Sequence, residues 1–325
     1  MPTPQEISDA IHRVRDHATL IEHLLSRTLQ WPIEDRIQKI DDIAFGWTAE
    51  ELRAESLGDY LVDGQAWQIR PMRDPQPWGI FVLEFHDDRV YRTALRQVLR
   101  GLVPKRRRDA NLPTWRHDNL LFICTTRDYE QITFAHFRGE KAQTARLATF
   151  GWQRDDRHVR TVCEFSLPAL EWPDDDADAA EWIEQWSAAF DKERLTKDFF
   201  RRFDDAVAAV QADLERHQGL KSSAAYSAAQ LLLERLIFLY FLQNRGWLNQ
   251  ERDYLFQKLE PHRGRPKDFT YYREFLESLF WSLASPPRGP GRLPGIPFLN
   301  GGLFDDDEFT PLSASRMKHK PPLKV

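Results

Sequence analysis

The stretch GIFVLEF, residues 79–85, is a continuous apolar run of the kind that forms a strand buried on both faces. A second such run, NLLFICTT, occupies residues 119–126, and a segment with helical periodicity, residues 91–102, lies between the two. Strand, helix and strand at this spacing predict a crossover that joins two parallel strands. The segments 131–137 and 160–167 are predicted to add further strands. We therefore expect an α/β front half built on a mixed sheet with a crossover helix.

Upstream of this crossover the sequence predicts mostly helix. Apolar residues recur at helical spacing over residues 4–27, which indicates an amphipathic helix whose histidines, His17 among them, are expected at the surface. Short helical pieces are predicted for residues 31–55. Asp63-Gly64 lies between two short extended runs and predicts the turn of a β-hairpin.

The longest apolar run of the chain, SAAQLLLERLIFLYFLQNRGWL, occupies residues 227–248. Because it is apolar on nearly every side, it predicts a buried central helix of an all-α second half. Glu234 and Arg235 in its middle argue against a membrane span, since each would cost roughly 2.5–3.5 kcal/mol at the centre of a bilayer. Gly246 is typical of the residue that ends a helix.

Composition and patterning divide the chain into four predicted parts. These are an α/β domain with an N-terminal helix, an acidic linker with the start of a helix, an all-α domain, and a Pro/Gly-rich segment with a disordered tail. In that order they cover residues 1–170, 171–192, 193–284 and 285–325.

The composition also excludes several classes of protein. A net charge of -5 excludes a molecule that is basic all over, so any nucleic-acid surface must be local. Cys124 and Cys163 lack zinc-binding spacing and are expected to be buried thiols of a cytoplasmic protein. The N-terminus lacks the apolar region of a secretory signal. The P-loop, the HExxH zinc motif and the nucleophile elbow are absent from the sequence.

A basic cluster follows the first buried strand. Three arginines fall on one stripe of the predicted crossover helix, and four further basic residues follow its end. These residues are Arg92, Arg96, Arg100, Lys105, Arg106, Arg107 and Arg108. Guanidinium groups at helical spacing can follow a phosphate backbone, which predicts contact with double-stranded DNA. The alternative is that the cluster is the solvated outer face of the helix.

Carboxylates form the second candidate site. Asp63 lies at the predicted hairpin, and Glu84 lies near the end of the apolar strand, two residues before His86. Acids delivered at one edge of a sheet can hold Mg²⁺ beside a scissile phosphate, so Asp63 and Glu84 are candidate metal ligands. His86 occupies the position at which such nuclease sites carry a lysine, and it is the third candidate catalytic residue. Alternatively, Glu84 pairs with an arginine of the next helix.

Three segments together carry a resemblance to a known family. They are residues 195–203 (LTKDFFRRF), residues 233–248 (LERLIFLYFLQNRGWL) and residues 296–304 (IPFLNGGLF). In this order they resemble the region upstream of the methyltransferase domain in large single-chain type II restriction–modification enzymes and in related phage-defence adenine methyltransferases. The front half is similar to the PD-(D/E)xK nuclease-type domain of such enzymes, with Glu84-Phe85-His86 in the place of acid-x-Lys.

The resemblance implies an enzyme that continues into an adenine methyltransferase domain using S-adenosylmethionine. The catalytic Asn-Pro-Pro-aromatic motif of that domain is absent from this sequence. The resemblance therefore implies a truncated front part that does not methylate DNA by itself. Mg²⁺ is expected as a cofactor only if the nuclease-like site is active, and S-adenosylmethionine only for the missing domain.

Three hypotheses follow from the sequence. The first is a front fragment or subunit of a restriction–modification system, which contacts double-stranded DNA and works with a missing or separately encoded methyltransferase domain. The second is a protein-interaction module without a DNA role. The third is a Mg²⁺-dependent DNA nuclease in which His86 replaces the usual lysine. None of the three predicts a membrane partner.

Overall fold

The computed structural model divides the chain into two compact units, Met1–Leu195 and Thr196–Val325. It describes residues 2–33, 39–51, 55–90, 93–99, 118–138, 146–156, 159–263, 271–286, 292–299 and 302–304.

The first unit is built on a six-stranded sheet whose strands follow one another in sequence order. The strands are β1 (Ala44–Thr48), β2 (Gln65–Ile69), β3 (Trp78–Phe85), β4 (Asn119–Thr126), β5 (Gln131–Arg138) and β6 (Arg146–Gln153). Strands β3 and β4 are parallel, and every other neighbouring pair is antiparallel. The helix α3, residues 93–99, lies on the crossover between β3 and β4. The predicted α/β class and the parallel pair are therefore confirmed.

Two local predictions within this sheet are wrong. Residues 160–167 do not form a strand; they contain a π-helical segment, Val162–Ser166, and β6 is the last strand instead. Val162, Cys163, Ser166 and Leu167 are buried, which is helical spacing rather than strand alternation.

The predicted hairpin turn at Asp63-Gly64 is also wrong. Residues 62–64 form a 3₁₀ turn before β2, and β2 pairs back with β1 over a longer connection, with Gln65 opposite Thr48. Strand β1 itself lies within residues 31–55, for which only helical pieces were predicted.

The two faces of the sheet are covered by different helices. Alternate residues of β3 divide between two apolar cores: Phe81, Leu83 and Phe85 pack with α3, whereas Ile80 and Val82 pack with the N-terminal helices. Those helices are α1 (Pro4–Ile11) and α2 (His17–Thr19), which continues in π-helical turns over Leu20–Thr28. A site on one face is thus separated from the other face by the sheet.

Segment 171–192, predicted as an acidic linker and helix start, contains α4 (Ala179–Ala188). The Asp178 carboxylate accepts hydrogen bonds from the backbone N–H groups of Ala180 and Glu181, which satisfies two free donors at the start of the helix. Trp182 and Trp186 are fully buried, and the ring of Trp186 stacks on Trp31 at 5.1 Å. This segment therefore packs into the core of the first unit.

The second unit is helical, as predicted for this half of the chain. Its helices are α5 (Lys192–Gln218), α6 (Ser222–Asn244), α7 (Tyr254–Leu259) and α8 (Glu277–Ala284). The unit begins at Thr196, within α5, and π-helical turns at Tyr271–Leu276 precede α8. At the start of α5, the Asp191 side chain accepts hydrogen bonds from the backbone N–H groups of Glu193 and Arg194.

Helix α6 is less buried than its sequence predicts. It packs small residues such as Ala225 and Ala229 against α5, and it buries Leu239 in a second core with α7 and α8. Ile237 and Phe241, however, are 44% and 47% exposed. By length and composition α6 could cross a membrane, but core helices pass the same test, so one such helix is weak evidence.

Part of the predicted Pro/Gly-rich segment packs onto the helices of the second unit. Leu299 N–H donates to the carbonyl of Leu283, and Phe304 is buried in the core of α6 and α8. The predicted disordered tail, residues 313–325, lies outside the described residues, as do residues 305–312.

Candidate functional site

A cavity of about 340 Å³ opens beside the C-terminal end of β3, on the face covered by the N-terminal helices. Its charged lining consists of four acids, one histidine and one lysine. These residues are Asp16, Asp41, Asp63, Glu84, His17 and Lys39. We call this cavity the acidic pocket. It brings together two of the predicted site residues, Asp63 and Glu84.

Glu84 reaches the pocket because of its place in β3. Alternation along the strand places it on the same face of the sheet as Ile80 and Val82, and in the parallel pair it lies beside Thr125 of β4. Asp63 comes from the turn before β2, where its backbone has a left-handed φ of 55°. Non-glycine residues seldom adopt this conformation, so the turn is held in a specific geometry that presents Asp63 at the pocket.

His17 was predicted at the surface, and the structure corrects this. The helix predicted over residues 4–27 breaks after α1, and Asp16 and Thr19 form a capping box that starts α2. This places His17 in the first turn of α2, with Nε2 3.7 Å from Oε2 of Glu84. His17 is the site residue that the sequence did not reveal.

The environment disfavours charge on both partners of this contact. Burial lowers the pKa of His17, against the opposing charges of Asp16 and Asp41. Burial also raises the pKa of Glu84, and the Asp63 carboxylate adds to this effect. Both shifts favour the uncharged form of the side chain, so burial weakens any ion pair between His17 and Glu84.

Two buried hydroxyl groups lie behind this contact. The Tyr129 ring meets the His17 ring edge-on, with 5.4 Å between centroids. Tyr129 is 4% exposed and Thr125 is fully buried. Burial raises the pKa of Tyr129, and Glu84 raises it further. A hydrogen bond with the Thr125 hydroxyl acts in the opposite direction on the pKa of Tyr129, so the two hydroxyl groups are partners.

His86, the predicted substitute for a lysine, lies beyond the strand. Its side chain is exposed and does not line the acidic pocket, while its backbone N–H donates to the carbonyl of Tyr60. The charge of Arg127, and less strongly His86, opposes the burial that raises the pKa of the Glu84 carboxyl.

The donor set of the pocket fits part of a metal site. Asp63 and Glu84 supply carboxylate oxygens, which hard divalent ions prefer. Within the described ranges, no three His, Cys, Asp or Glu side chains come close enough to hold an ion by themselves. An ion in this pocket would keep positions for water or a substrate oxygen.

Of the basic cluster, only Arg96 lies within the described residues. Arg92, Arg100, Lys105, Arg106, Arg107 and Arg108 lie outside them. Arg96 is exposed on α3, whereas Leu95 and Leu99 on the inner side of this helix are buried against the sheet. Because α3 covers the opposite face, the structure does not bring Arg96 to the acidic pocket.

The segments behind the family resemblance meet in the second unit. Arg235 of α6 is buried, and its Nε donates to the carbonyl of Leu303 at 2.7 Å. A shallow cavity of about 840 Å³ is lined by Gly246, Trp247, Asn249, Gln250 and residues 295–299, and Asn249 N–H donates to the carbonyl of Gly295 there. The second and third of these segments, residues 233–248 and 296–304, thus pack against each other.

Comparison with known proteins gives a partial similarity. The chain is 33% identical over 84 residues to the "Putative type II restriction enzyme and methyltransferase" of Methanocaldococcus jannaschii. The aligned part covers 23% of this chain and 7% of that much longer protein. No family model and no solved structure matches the chain. The similarity links this stretch of the chain loosely to restriction–modification proteins.

Proposed function

We propose that this chain is the DNA-contacting front part of a restriction–modification system and does not methylate DNA by itself. The observation that carries the proposal is the similarity to the Methanocaldococcus protein, whose name combines a restriction enzyme and a methyltransferase. The three sequence segments that resemble the region before an adenine methyltransferase domain support the same assignment. A separate methyltransferase domain would be its partner and would bind S-adenosylmethionine.

The DNA contact is proposed for the outer side of α3. Arg96 is exposed there. In the sequence Arg92 and Arg100 stand four residues before and after it, the spacing of neighbours on one helix face. Such a stripe can neutralise successive phosphates without reading the bases. We expect binding to duplex DNA with little sequence preference from this surface.

Fluorescence anisotropy with a labelled duplex tests this proposal. Reversing Arg92, Arg96 and Arg100 to Glu should weaken binding at least about tenfold at low salt, since three phosphate contacts are lost. The control reverses Arg194, Arg201 and Arg216, three exposed arginines of α5, and should leave the affinity within about threefold. Equal losses of duplex affinity in both variants would show that only the net charge of the protein matters. Arg92, Arg96 and Arg100 would then no longer be a specific DNA contact.

The acidic pocket supports a second candidate function, metal-dependent DNA cleavage. Asp63 and Glu84 line one cavity at the end of a strand, beside a partly buried His17. Mg²⁺ held by these carboxylates would polarise a phosphate oxygen and activate a water. His86, in the position of the usual lysine, would orient that water from outside the pocket.

Nicking of supercoiled plasmid tests the second candidate. Cleavage should require a divalent ion and should fall at least about a hundredfold in Glu84→Gln and Asp63→Asn, because each loses a charged ligand. Asp155→Asn, at an exposed position of the same unit, should cleave like the wild type. Metal-independent nicking, or activity that persists in Glu84→Gln, would contradict it.

A further inference from the structure

We propose that the exposed side of helix α6 binds the same side of a second copy of this chain, with the two helices antiparallel. We call this surface the α6 face, and it comprises Glu234, Ile237, Tyr240, Phe241 and Arg245. The proposed contact joins two second units. It depends neither on the proposed DNA contact nor on the acidic pocket.

The centre of the α6 face is apolar. Ile237, Tyr240 and Phe241 stand at positions i, i+3 and i+4 of the helix, so their side chains are neighbours on one side of it. They are 44%, 46% and 47% exposed, whereas Leu239 and Leu242 on the other side are fully buried. Single exposed apolar residues are common, but a contiguous patch is typical of an interaction site.

Opposite charges stand at the two ends of this patch. Glu234 precedes it and Arg245 follows it, and both are exposed. The side-chain amide of Gln230 donates to Oε1 of Glu234 at 2.9 Å. The guanidinium carbon of Arg245 lies 5.4 Å from the centre of the Phe241 ring. Neighbouring side chains thus hold both charged groups on the α6 face.

The order of charge, apolar patch and opposite charge is self-complementary. In an antiparallel pair with a two-fold axis beside residues 239–240, Glu234 lies opposite Arg245 of the second copy, because each is about 8 Å from the axis along the helix. The same axis brings Ile237 opposite Phe241 of the second copy to within about one residue's rise. A two-fold interface uses each contact twice, so one dimer gains two charge pairs around an apolar centre.

This complementarity favours a second copy over a lipid surface. By length and composition α6 could also cross a bilayer. Glu234 and Arg245, however, lie on the same face as the apolar patch, and hydrocarbon disfavours both charges. A second copy instead supplies each charge with its opposite and covers the apolar centre, the usual arrangement of an apolar core with a polar rim.

Sedimentation velocity of the full chain measures the association. The wild type should be mainly dimeric at about 100 µM protein and should dissociate on dilution, as expected for an interface of micromolar affinity. Ile237→Glu should weaken dimerisation at least about a hundredfold, because it places two unpaired charges at the centre of the contact. The matched control is Phe200→Glu, at a 58% exposed position of α5, which should dimerise like the wild type.

Charge reversal tests the antiparallel arrangement. Glu234→Arg and Arg245→Glu should each weaken self-association at least about fivefold, because each variant places like charges together at both ends of its dimer. An equimolar mixture of the two variants should associate within about threefold of the wild type, since each copy then meets the opposite charge at both ends. Both positions are exposed, so this test holds even if Ile237→Glu folds poorly.

Three results of these measurements would overturn the proposal. They are a wild type that stays monomeric at the highest concentration, equal weakening by Ile237→Glu and Phe200→Glu, and a mixture of the charge variants that associates no better than either variant alone. Flotation with phosphatidylcholine–phosphatidylglycerol vesicles tests the lipid alternative. Wild-type protein that floats with these vesicles, when Ile237→Glu does not, would assign the α6 face to a membrane and overturn the proposal as well.

Discussion

His136 is a histidine held inside an aromatic core of the first unit. Its ring lies 4.7 Å from that of Trp78 and 5.3 Å from that of Phe190, and Nε2 is 3.4 Å from Oδ1 of Asn119. Burial lowers the pKa of His136 to about 4, and the charge of Arg138 adds to this effect. In the native state this imidazole therefore stays neutral as the pH falls from 6.5 toward 4, a range in which the same imidazole takes up a proton in the unfolded chain.

This makes the first unit sensitive to mild acid. The unfolded chain takes up the proton near its ordinary pKa of 6.5 and the native state only near 4, so the unfolded state binds more protons between these values. The stability that the neutral ring contributes is complete above pH 6.5 and is lost as the pH falls toward 4, by up to about 3 kcal/mol. Urea denaturation from pH 7 to pH 4.5 should show this loss in the wild type.

His136→Phe should flatten that dependence, because the ring no longer titrates, whatever its effect on stability at pH 7. His86→Gln, at an exposed position, should keep the wild-type dependence. Parallel curves for the wild type and His136→Phe would show that other groups cause the acid sensitivity.

Arg235 joins helix α6 to the segment that resembles the family most closely. It is 5% exposed, its Nε donates to the carbonyl of Leu303, and its guanidinium lies 5.0 Å from the centre of the Phe280 ring. Arg235→Ala should lower the free energy of unfolding of the second unit by about 2–4 kcal/mol, because it removes a charged hydrogen bond and leaves a carbonyl unsatisfied.

Chemical denaturation of the isolated variants measures this effect. The neighbouring Glu234 is exposed, so Glu234→Ala should change the free energy of unfolding by less than about 0.5 kcal/mol. Similar losses in the two variants would mean that Arg235 does not anchor residues 302–304.

At the scale of elements, two glycines of the second unit offer a matched pair. Gly246 and Gly295 share a left-handed φ of 72°. A Cβ at Gly246 would meet nothing within 4 Å, whereas at Gly295 it would lie 2.3 Å from Oδ1 and 3.1 Å from Cα of Asn249. The two positions thus separate the cost of backbone conformation from the cost of close packing.

Gly246→Ala should lower the stability of the second unit by roughly 1–2 kcal/mol, the cost of a left-handed residue with a Cβ. Gly295→Ala should cost at least about 1 kcal/mol more, since the hydrogen bond from Asn249 N–H to Gly295 keeps the two segments close. Thermal unfolding of both variants gives the comparison. Equal melting temperatures would show that the segments can separate without cost.

The elements differ in how well the sequence predicts them. The parallel pair of β3 and β4 was predictable, because two apolar runs separated by a helical segment allow few other arrangements. The segment 160–167 was not, since its short apolar run has no clear period until its packing partners are known. Helix α6 was expected to be buried because it is apolar all round, but Ile237 and Phe241 remain exposed. Hydrophobicity identifies a helix more reliably than it identifies which face is covered.

The residues of the acidic pocket also differ in how well the sequence predicts them. Glu84 was identified from the end of its strand, which fixes the direction of its side chain, whereas Asp63 was identified from a hairpin turn that the structure does not form. His17 was missed because the apolar periodicity continues through residues 12–16, where the helix breaks. The signal that could have revealed it is Asp16 with Thr19 three residues later, a capping pattern that starts a new helix.

At the scale of the molecule, the sheet separates the two candidate surfaces of the first unit. Arg96 lies on the α3 side and the acidic pocket on the side of the N-terminal helices. One duplex segment lying along α3 would not reach Glu84 without bending around an edge of the sheet. DNA contact and metal binding are therefore expected to respond independently to substitutions at their own residues.

The most direct test of the proposed DNA contact is the salt dependence of duplex binding. If Arg92, Arg96 and Arg100 together neutralise at least three phosphates, the logarithm of the association constant should fall with the logarithm of salt concentration with a slope of about -3 or steeper. Reversal of Arg92, Arg96 and Arg100 should make that slope shallower by about 2–3. A wild-type protein that does not bind duplex DNA at low salt, or a slope unchanged by the reversal, would contradict the account.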